Sequence, residues 1–191
     1  GHQDQVRGST RCRFPLEVGI QAVHPDLVPA RTEPVDLILL PQGGAEQDPR
    51  AWWTAISAAS RRCLDSHPAT DVAAVSVTAQ WSGTVAVDAD GEPIGRAIIW
   101  MDTRGARHVA KLIGGPVRFE GYDLRKARRW ITLTGGAPTK AGKYPVGHIA
   151  YLRAERPDLY RRANLFLEPK DFINFRLTGV AAADPSEASG S

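Results

Sequence analysis

The sequence predicts an α/β fold, on three observations. Short runs rich in β-branched or apolar residues, VDLILL at 35–40, DVAAVSVT at 71–78 and LFLE at 165–168, alternate with longer stretches of helical periodicity. From Asp48 onward, capping residues and glycine or proline breakers fall regularly between these segments. The 191 residues are 42% hydrophobic and 24% charged, enough to bury a core, and they show no internal repeat or low-complexity tract. Strands interleaved with helices in such a chain imply a mixed sheet flanked by helices.

The elements follow in order. The first 45 residues carry Pro15, Pro25, Pro29, Pro34 and Pro41, and only 35–40 reads as a strand. Residues 14–36 lack the alternation a half-buried strand requires. Asp48 followed by Pro49 is an N-cap and first-turn pair, and Trp53, Ile56, Ser60, Cys63 and Leu64 then share a helical face up to His67-Pro68. Residues 71–78 suit a buried strand. Thr84–Asp88 and Arg96–Met101 suit a hairpin closed by the turn at 89–93. Helices are expected at Thr103–Ile113, stopped by Gly114-Gly115-Pro116, and at Leu124–Leu133, stopped by Gly135-Gly136. Two more open on Pro145 and Pro157, and after the strand at 165–168 a last helix, Pro169–Leu177, closes at Thr178-Gly179.

Charge and cysteine usage narrow the function classes. The 24 basic and 21 acidic residues leave a net charge of +3, dispersed except for clusters at Arg125–Arg129 and Arg161–Arg162. A nucleic-acid binder needs a basic stripe with interleaved aromatics, and none is present, so no nucleic-acid partner is expected. Cys12 and Cys63 form no C-x-x-C pair, which leaves buried reduced thiols as the expectation rather than a disulfide framework or zinc site. No apolar run approaches the ~18 residues that span a bilayer, and GHQDQVRGSTR lacks the apolar centre of a secretory signal. A cytoplasmic protein without a membrane partner is expected.

Chemistry concentrates in TAQWSG at 78–83. Gln80 and Ser82 offer donors and acceptors suited to hydroxyl groups, and Trp81 offers a flat apolar face for the C–H side of a sugar. They lie between two expected strands, at a strand end where α/β sheets present ligand groups. On composition alone, a plain turn with a core tryptophan is the stronger reading.

Six segments in order bear on that choice: GAEQDPRAWW at 44–53, TAQWSG, DADGEPI at 88–94, AIIWMDTR at 97–104, TGGAP at 134–138 and LEPKDFINFRLTGVAAADPSEAS at 167–189. Together they resemble the N-terminal lobe of FGGY carbohydrate kinases, most closely the xylulokinase branch. The resemblance implies a ribonuclease-H-like (actin-like ATPase) lobe. It also implies ATP-dependent phosphorylation of a ketose or polyol, with D-xylulose giving xylulose 5-phosphate as the leading reaction of the full-length enzyme. By the same resemblance Gln80, Trp81 and Ser82 contact the sugar, although relatives often have histidine or an Arg-Glu pair where Trp81-Ser82 stands. Lys140, Lys143 and Tyr144, after TGGAP, are further sugar-binding candidates, each weighed against a solvated lysine or packing tyrosine. Asp102 and Arg104 are expected to pair and brace their loop. Glu168, Lys170 and Asp171 match a charged helix start, and Asp184, Ser186 and Ser189 a turn-ordering element.

The family opens with D-x-G-T-x-S-x-R/K, whose backbone approaches the ATP phosphates and whose aspartate organises Mg²⁺. The nearest match here assigns Asp4, Ser9 and Thr10 to the cofactor and Asp4 to the metal. Val6-Arg7 replaces Gly-Thr, and a β-branched valine does not readily take the positive φ of glycine. The family's catalytic aspartate belongs to a G-x-x-D segment expected beyond Ser191, so no catalytic residue is assigned. The expectation is therefore one partial sugar-binding lobe over 1–191, poorly matched over 1–43 and without the C-terminal ATP-binding lobe. Such a lobe would bind sugar without turning over. The rival is a truncated or decayed, non-catalytic lobe that serves as a binding or interaction module. Apolar surface left open by a missing lobe would favour a homodimer.

Overall fold

The structure, a computed structural model, describes residues 10–20, 31–65, 69–135 and 139–183. In chain order the strands are β1 (Thr10–Ile20), β2 (Arg31–Leu40), β3 (Gly44–Gln47), β4 (Val85–Val87), β5 (Ala97–Ile98), β6 (Arg118–Phe119), β7 (Tyr122–Asp123) and β8 (Leu165–Leu167). The helices are α1 (Pro49–Leu64), α2 (Ala106–Ile113), α3 (Leu124–Thr134), α4 (Pro145–Glu155), α5 (Pro157–Arg162) and α6 (Pro169–Thr178). One sheet runs β1-β2-β3-β5, antiparallel throughout. A second, two-stranded sheet pairs β4 with β8, and β6-β7 form a small hairpin.

The expected hairpin joins the first two sheets. Thr84 N donates to the Ile98 carbonyl at 2.8 Å and Ile98 N to the Thr84 carbonyl at 3.0 Å. The turn between them is ordered by Asp88, whose Oδ1 accepts from Asp90 N and Glu92 N. Val85, Val87, Ala97 and Ile99 from this hairpin meet Trp52 of α1 and Phe172 of α6 in the core. Removing that apolar surface from water is what holds helix to sheet. Among the described residues no helix is long and apolar enough to cross a membrane.

Helix positions largely follow the sequence, with physical reasons for the differences. Asp48 caps α1 by accepting from Arg50 N at 2.9 Å, and Asp123 caps α3 by accepting from Arg125 N and Lys126 N. The buried face of α1, however, is Trp52, Ala55, Ala59 and Cys63, not the face led by Trp53. Alanines let the helix lie close to the sheet, while Trp53 sits under the Arg176 guanidinium at 5.5 Å and Leu64 faces solvent. Helix α2 starts at Ala106 rather than Thr103, because Thr103 N is committed to the Gly43 carbonyl and Arg104 N to Asp102.

Two strand expectations need correction. Thr10–Ile20, read without strand pattern from residue 14 onward, pairs with β2 from Thr10↔Leu39 to Ile20↔Arg31, with the register shifting between Cys12 and Leu16. Ladder pairing with a neighbour supplies what alternation did not. Conversely, 71–78 forms no strand. After a 3₁₀ turn at Ala69–Asp71 the chain runs without a ladder, leaving Val72 49% and Val75 66% exposed.

Candidate functional site

The chain turns between the extended 72–79 stretch and β4 through Ser82, a non-glycine residue at φ 59 that is buried with its Oγ unpartnered. The next residue is forced by packing: a Cβ on Gly83 would lie 2.4 Å from the Pro169 ring. Gln80 is aimed by its amide, whose Nε2 donates to Oε1 of the buried Gln47 at 2.8 Å. Trp81 stands 52% exposed and meets the Tyr144 ring edge-on, with centroids 4.9 Å apart. Lys143 places Nζ 5.7 Å from the ring centre of Trp100, which is itself 49% exposed. Trp81 thus meets Tyr144 and Lys143 meets Trp100, so the turn at 80–82 and the consecutive Lys143 and Tyr144 line one wall, with Gln80 anchored behind it on Gln47. Lys140 does not share those contacts. It donates to the Glu120 carbonyl and sits 4.6 Å from the Tyr122 ring, at the β6-β7 hairpin.

Behind the wall lies a buried charge network. Asp102 accepts from Ala45 N at 2.9 Å, from Arg104 N at 2.8 Å and from Arg104 Nε at 2.9 Å. Arg104 continues to Glu46 at 2.7 Å and to the Tyr151 hydroxyl at 3.0 Å. Burial pulls the guanidinium pKa down, but the hydrogen bonds and charges of Asp102 and Glu46 outweigh it and hold the group above its ordinary value. The bracing role expected for Asp102 and Arg104 is what their geometry shows. Asp171 is buried in the first turn of α6, as a structural helix-start carboxylate should be.

Segment 139–144 is held by glycines. Gly142 has φ +68, and a Cβ there would lie 2.1 Å from Ala106 N; one on Gly147 would lie 2.4 Å from the Gly142 carbonyl oxygen. This close approach seats Gly142 and Gly147, which flank Lys143 and Tyr144, against Gly105 and Ala106 at the start of α2.

His148, on α4, is fully buried, with Nδ1 3.0 Å from Thr84 Oγ1. Burial, with a further contribution from Arg104 and against attraction by Asp102, pushes its pKa from 6.5 to about 4. The unfolded chain therefore binds the proton more readily, and stability contributed by neutral His148 is present above pH 6.5 and lost as pH falls toward 4. The loss amounts to at most roughly 3 kcal/mol. Thermal midpoints measured from pH 7.5 to 4.5 should fall across this window. His148→Gln, which cannot be protonated, should flatten the profile, and an equally steep decline in the variant would reject the assignment.

Sequence reasoning did not single out Gln47, Glu46 or His148, and it noted Trp100 only within the W-x-D-x-R run, not as a binding residue. Trp100 carried the clearest signal, a large aromatic where the AIIW strand ends. Asp4 and Ser9, assigned to phosphate and metal, lie outside the described residues, as do Asp184, Ser186, Ser189 and part of TGGAP. Thr10 opens β1 opposite Leu39. Among the described residues no group of three His, Cys, Asp or Glu is arranged to hold a metal ion.

The fold is that of a ribonuclease-H-like, actin-like ATPase lobe, and its solved neighbours are kinases. Residues 20–191 match the FGGY family of carbohydrate kinases, N-terminal domain. The chain is 35% identical over 147 residues to a xylulose kinase of Streptomyces rubiginosus, covering 77% of this chain and 28% of that protein. It is 38% identical over 117 residues to an erythritol kinase of Brucella abortus, covering 61% of this chain and 20% of that protein. In fold it superimposes on the ligand-bound xylulose kinase of Lactobacillus acidophilus with a TM-score of 0.69 at 22% identity, over 85% of this chain and 31% of the other. The chain belongs to the FGGY family of carbohydrate kinases. It spans under a third of the length of these relatives.

Proposed function

We propose that the chain supplies the sugar-binding lobe of an ATP-dependent kinase for a ketose or polyol, with D-xylulose the first candidate and xylulose 5-phosphate the product. The observation that carries this is the wall of Gln80, Trp81, Ser82, Lys143 and Tyr144, completed by Trp100. Its amide, phenol and ammonium groups match a polyhydroxylated ligand, its exposed indoles match the ligand's C–H faces, and the buried Ser82 shapes the turn that presents them. Xylulose and erythritol enter as candidates through the relatives named for them.

In such a reaction ATP with Mg²⁺ delivers a phosphoryl group in line to a primary hydroxyl, and a carboxylate takes the hydroxyl proton. The described residues offer no metal-holding cluster, and Asp102 is committed to Arg104 and Ala45, so no step is assigned to a metal or base in this chain. Its own residues bind and orient the sugar. Alone, the chain is expected to bind without turnover.

Calorimetric titration with xylulose, ribulose, glycerol and erythritol tests this. Saturable heat from at least one of them is expected, weakened at least tenfold by Trp81→Ala; tenfold corresponds to about 1.4 kcal/mol. No heat from any of the four, with a folded protein, would remove the sugar-binding reading. A second reading, a non-catalytic interaction module that self-associates, is favoured by one observation, the exposed and unladdered Val72–Val75 stretch. A concentration-dependent dimer that binds no sugar would support it.

A further inference from the structure

The imidazole of His148 stands where three segments of the wall meet. It lies in the first turns of α4, just past Lys143 and Tyr144. Its Nδ1 reaches Thr84, two residues beyond Ser82, at 3.0 Å. Its other side faces the main chain of Asp102, two residues beyond Trp100, with Nε2 short of a well-formed hydrogen bond. His148, Thr84 and Asp102 are all sealed from solvent. A buried polar ring bonded to Thr84 and set against the Asp102 main chain does more than fill space, because an aliphatic side chain would pack there with no polar group to place. Packing alone does not explain this ring.

We propose that His148 is a positioning residue, which holds the Gln80–Ser82 turn, the Trp100–Asp102 edge and the Lys143–Tyr144 turn in one arrangement so that the wall engages a sugar as a unit. The inference rests on the sugar-binding reading for its ligand but not for its geometry. The charged groups that face the ring are Asp102 and Arg104; the 80–84 segment contributes no titratable side chain, and Tyr151, further along α4, is occupied by Arg104. Burial, outweighing these two opposed charges, favours the neutral ring at pH 7.5.

The test uses the 191-residue chain labelled with ¹⁵N, reading the indole N–H signals of Trp81 and Trp100 together with xylulose and erythritol titrations at pH 7.5. His148→Ala is expected to move both indole signals and to weaken sugar binding at least tenfold. His148→Gln, whose amide can still bond Thr84, should restore the signals and bring affinity to within about threefold of wild type. Thr84→Val keeps the shape, removes the hydroxyl and should reproduce the alanine phenotype, which covers the case in which His148→Ala fails to fold. A folded His148→Ala or Thr84→Val protein with both indole signals unmoved overturns the proposal, as does an unimpaired affinity in a protein that binds sugar. If the wild type binds neither sugar, the functional reading fails by itself and the indole signals alone decide the positioning role.

Discussion

Asp102→Ala is expected to destabilise the protein by about 3–5 kcal/mol, the range for removing one partner of a buried ion pair. The carboxylate is almost wholly buried and serves three donors at once, Ala45 N, Arg104 N and the Arg104 guanidinium. Its loss strands a guanidinium whose side chain is only 9% exposed and leaves it Glu46 as a carboxylate partner and the Tyr151 hydroxyl. Most of the effect is the uncompensated charge rather than the lost attraction. Asp102→Ala combined with Arg104→Met should therefore recover a large part of the stability lost by the single variant. Urea unfolding of the single and double variants checks this. A single-variant loss below about 1 kcal/mol, or no recovery in the double variant, would show that the network is solvated and contributes little.

The second large effect is expected at Gly142. An alanine there must hold φ +68, which costs about 1–3 kcal/mol, and its Cβ would start 2.1 Å from Ala106 N, where backbone rather than a flexible side chain must yield. Together the two should lower stability by about 3–5 kcal/mol. The displaced segment carries Lys143 and Tyr144, so sugar affinity should fall at least tenfold in any protein that remains folded. Gly135 separates the two causes. It also has positive φ, at +75, but nothing lies within 4 Å of the position its Cβ would occupy. Gly135→Ala should cost only the left-handed strain, about 1–2 kcal/mol, and leave binding unchanged. Equal losses at the two glycines, measured by thermal melting and titration, would exclude the close contact as the cause.

The parts of the fold legible in sequence are those governed by neighbours along the chain. Asp48 and Asp123 cap helices because a short carboxylate reaches amides two or three residues on, whatever the rest of the molecule does. Gly135 and Gly179 end α3 and α6 in left-handed conformations for an equally local reason. The hairpin around 84–98 follows from its turn, with Asp88 bonding to Asp90 and Glu92. The resemblance to FGGY kinases was also legible, because it rests on the order of motifs rather than on contacts.

What misled was whatever depends on a distant partner. Residues 71–78 have the composition of a strand but pair with no other, whereas Thr10–Ile20 lacks the pattern and gains a partner in β2. On α1, counting side chains favoured the face led by Trp53, but close approach to the sheet selected Ala55 and Ala59. Lys140 and Lys143 stand three positions apart and looked equivalent, yet one meets the Tyr122 hairpin and the other Trp100.

By itself, then, the sequence determined the α/β class and the family, and offered the turn at Gln80–Ser82 as the candidate for sugar contact, since local propensities and ordered motifs are properties of the chain. Only the tertiary structure decided that Lys143 meets Trp100 and Trp81 meets Tyr144, that Asp102 and Arg104 close a buried network behind them, and that His148 lies buried against Thr84. Those relations join residues tens of positions apart, and the glycine contacts and desolvated charges that hold them exist only once the segments are packed together.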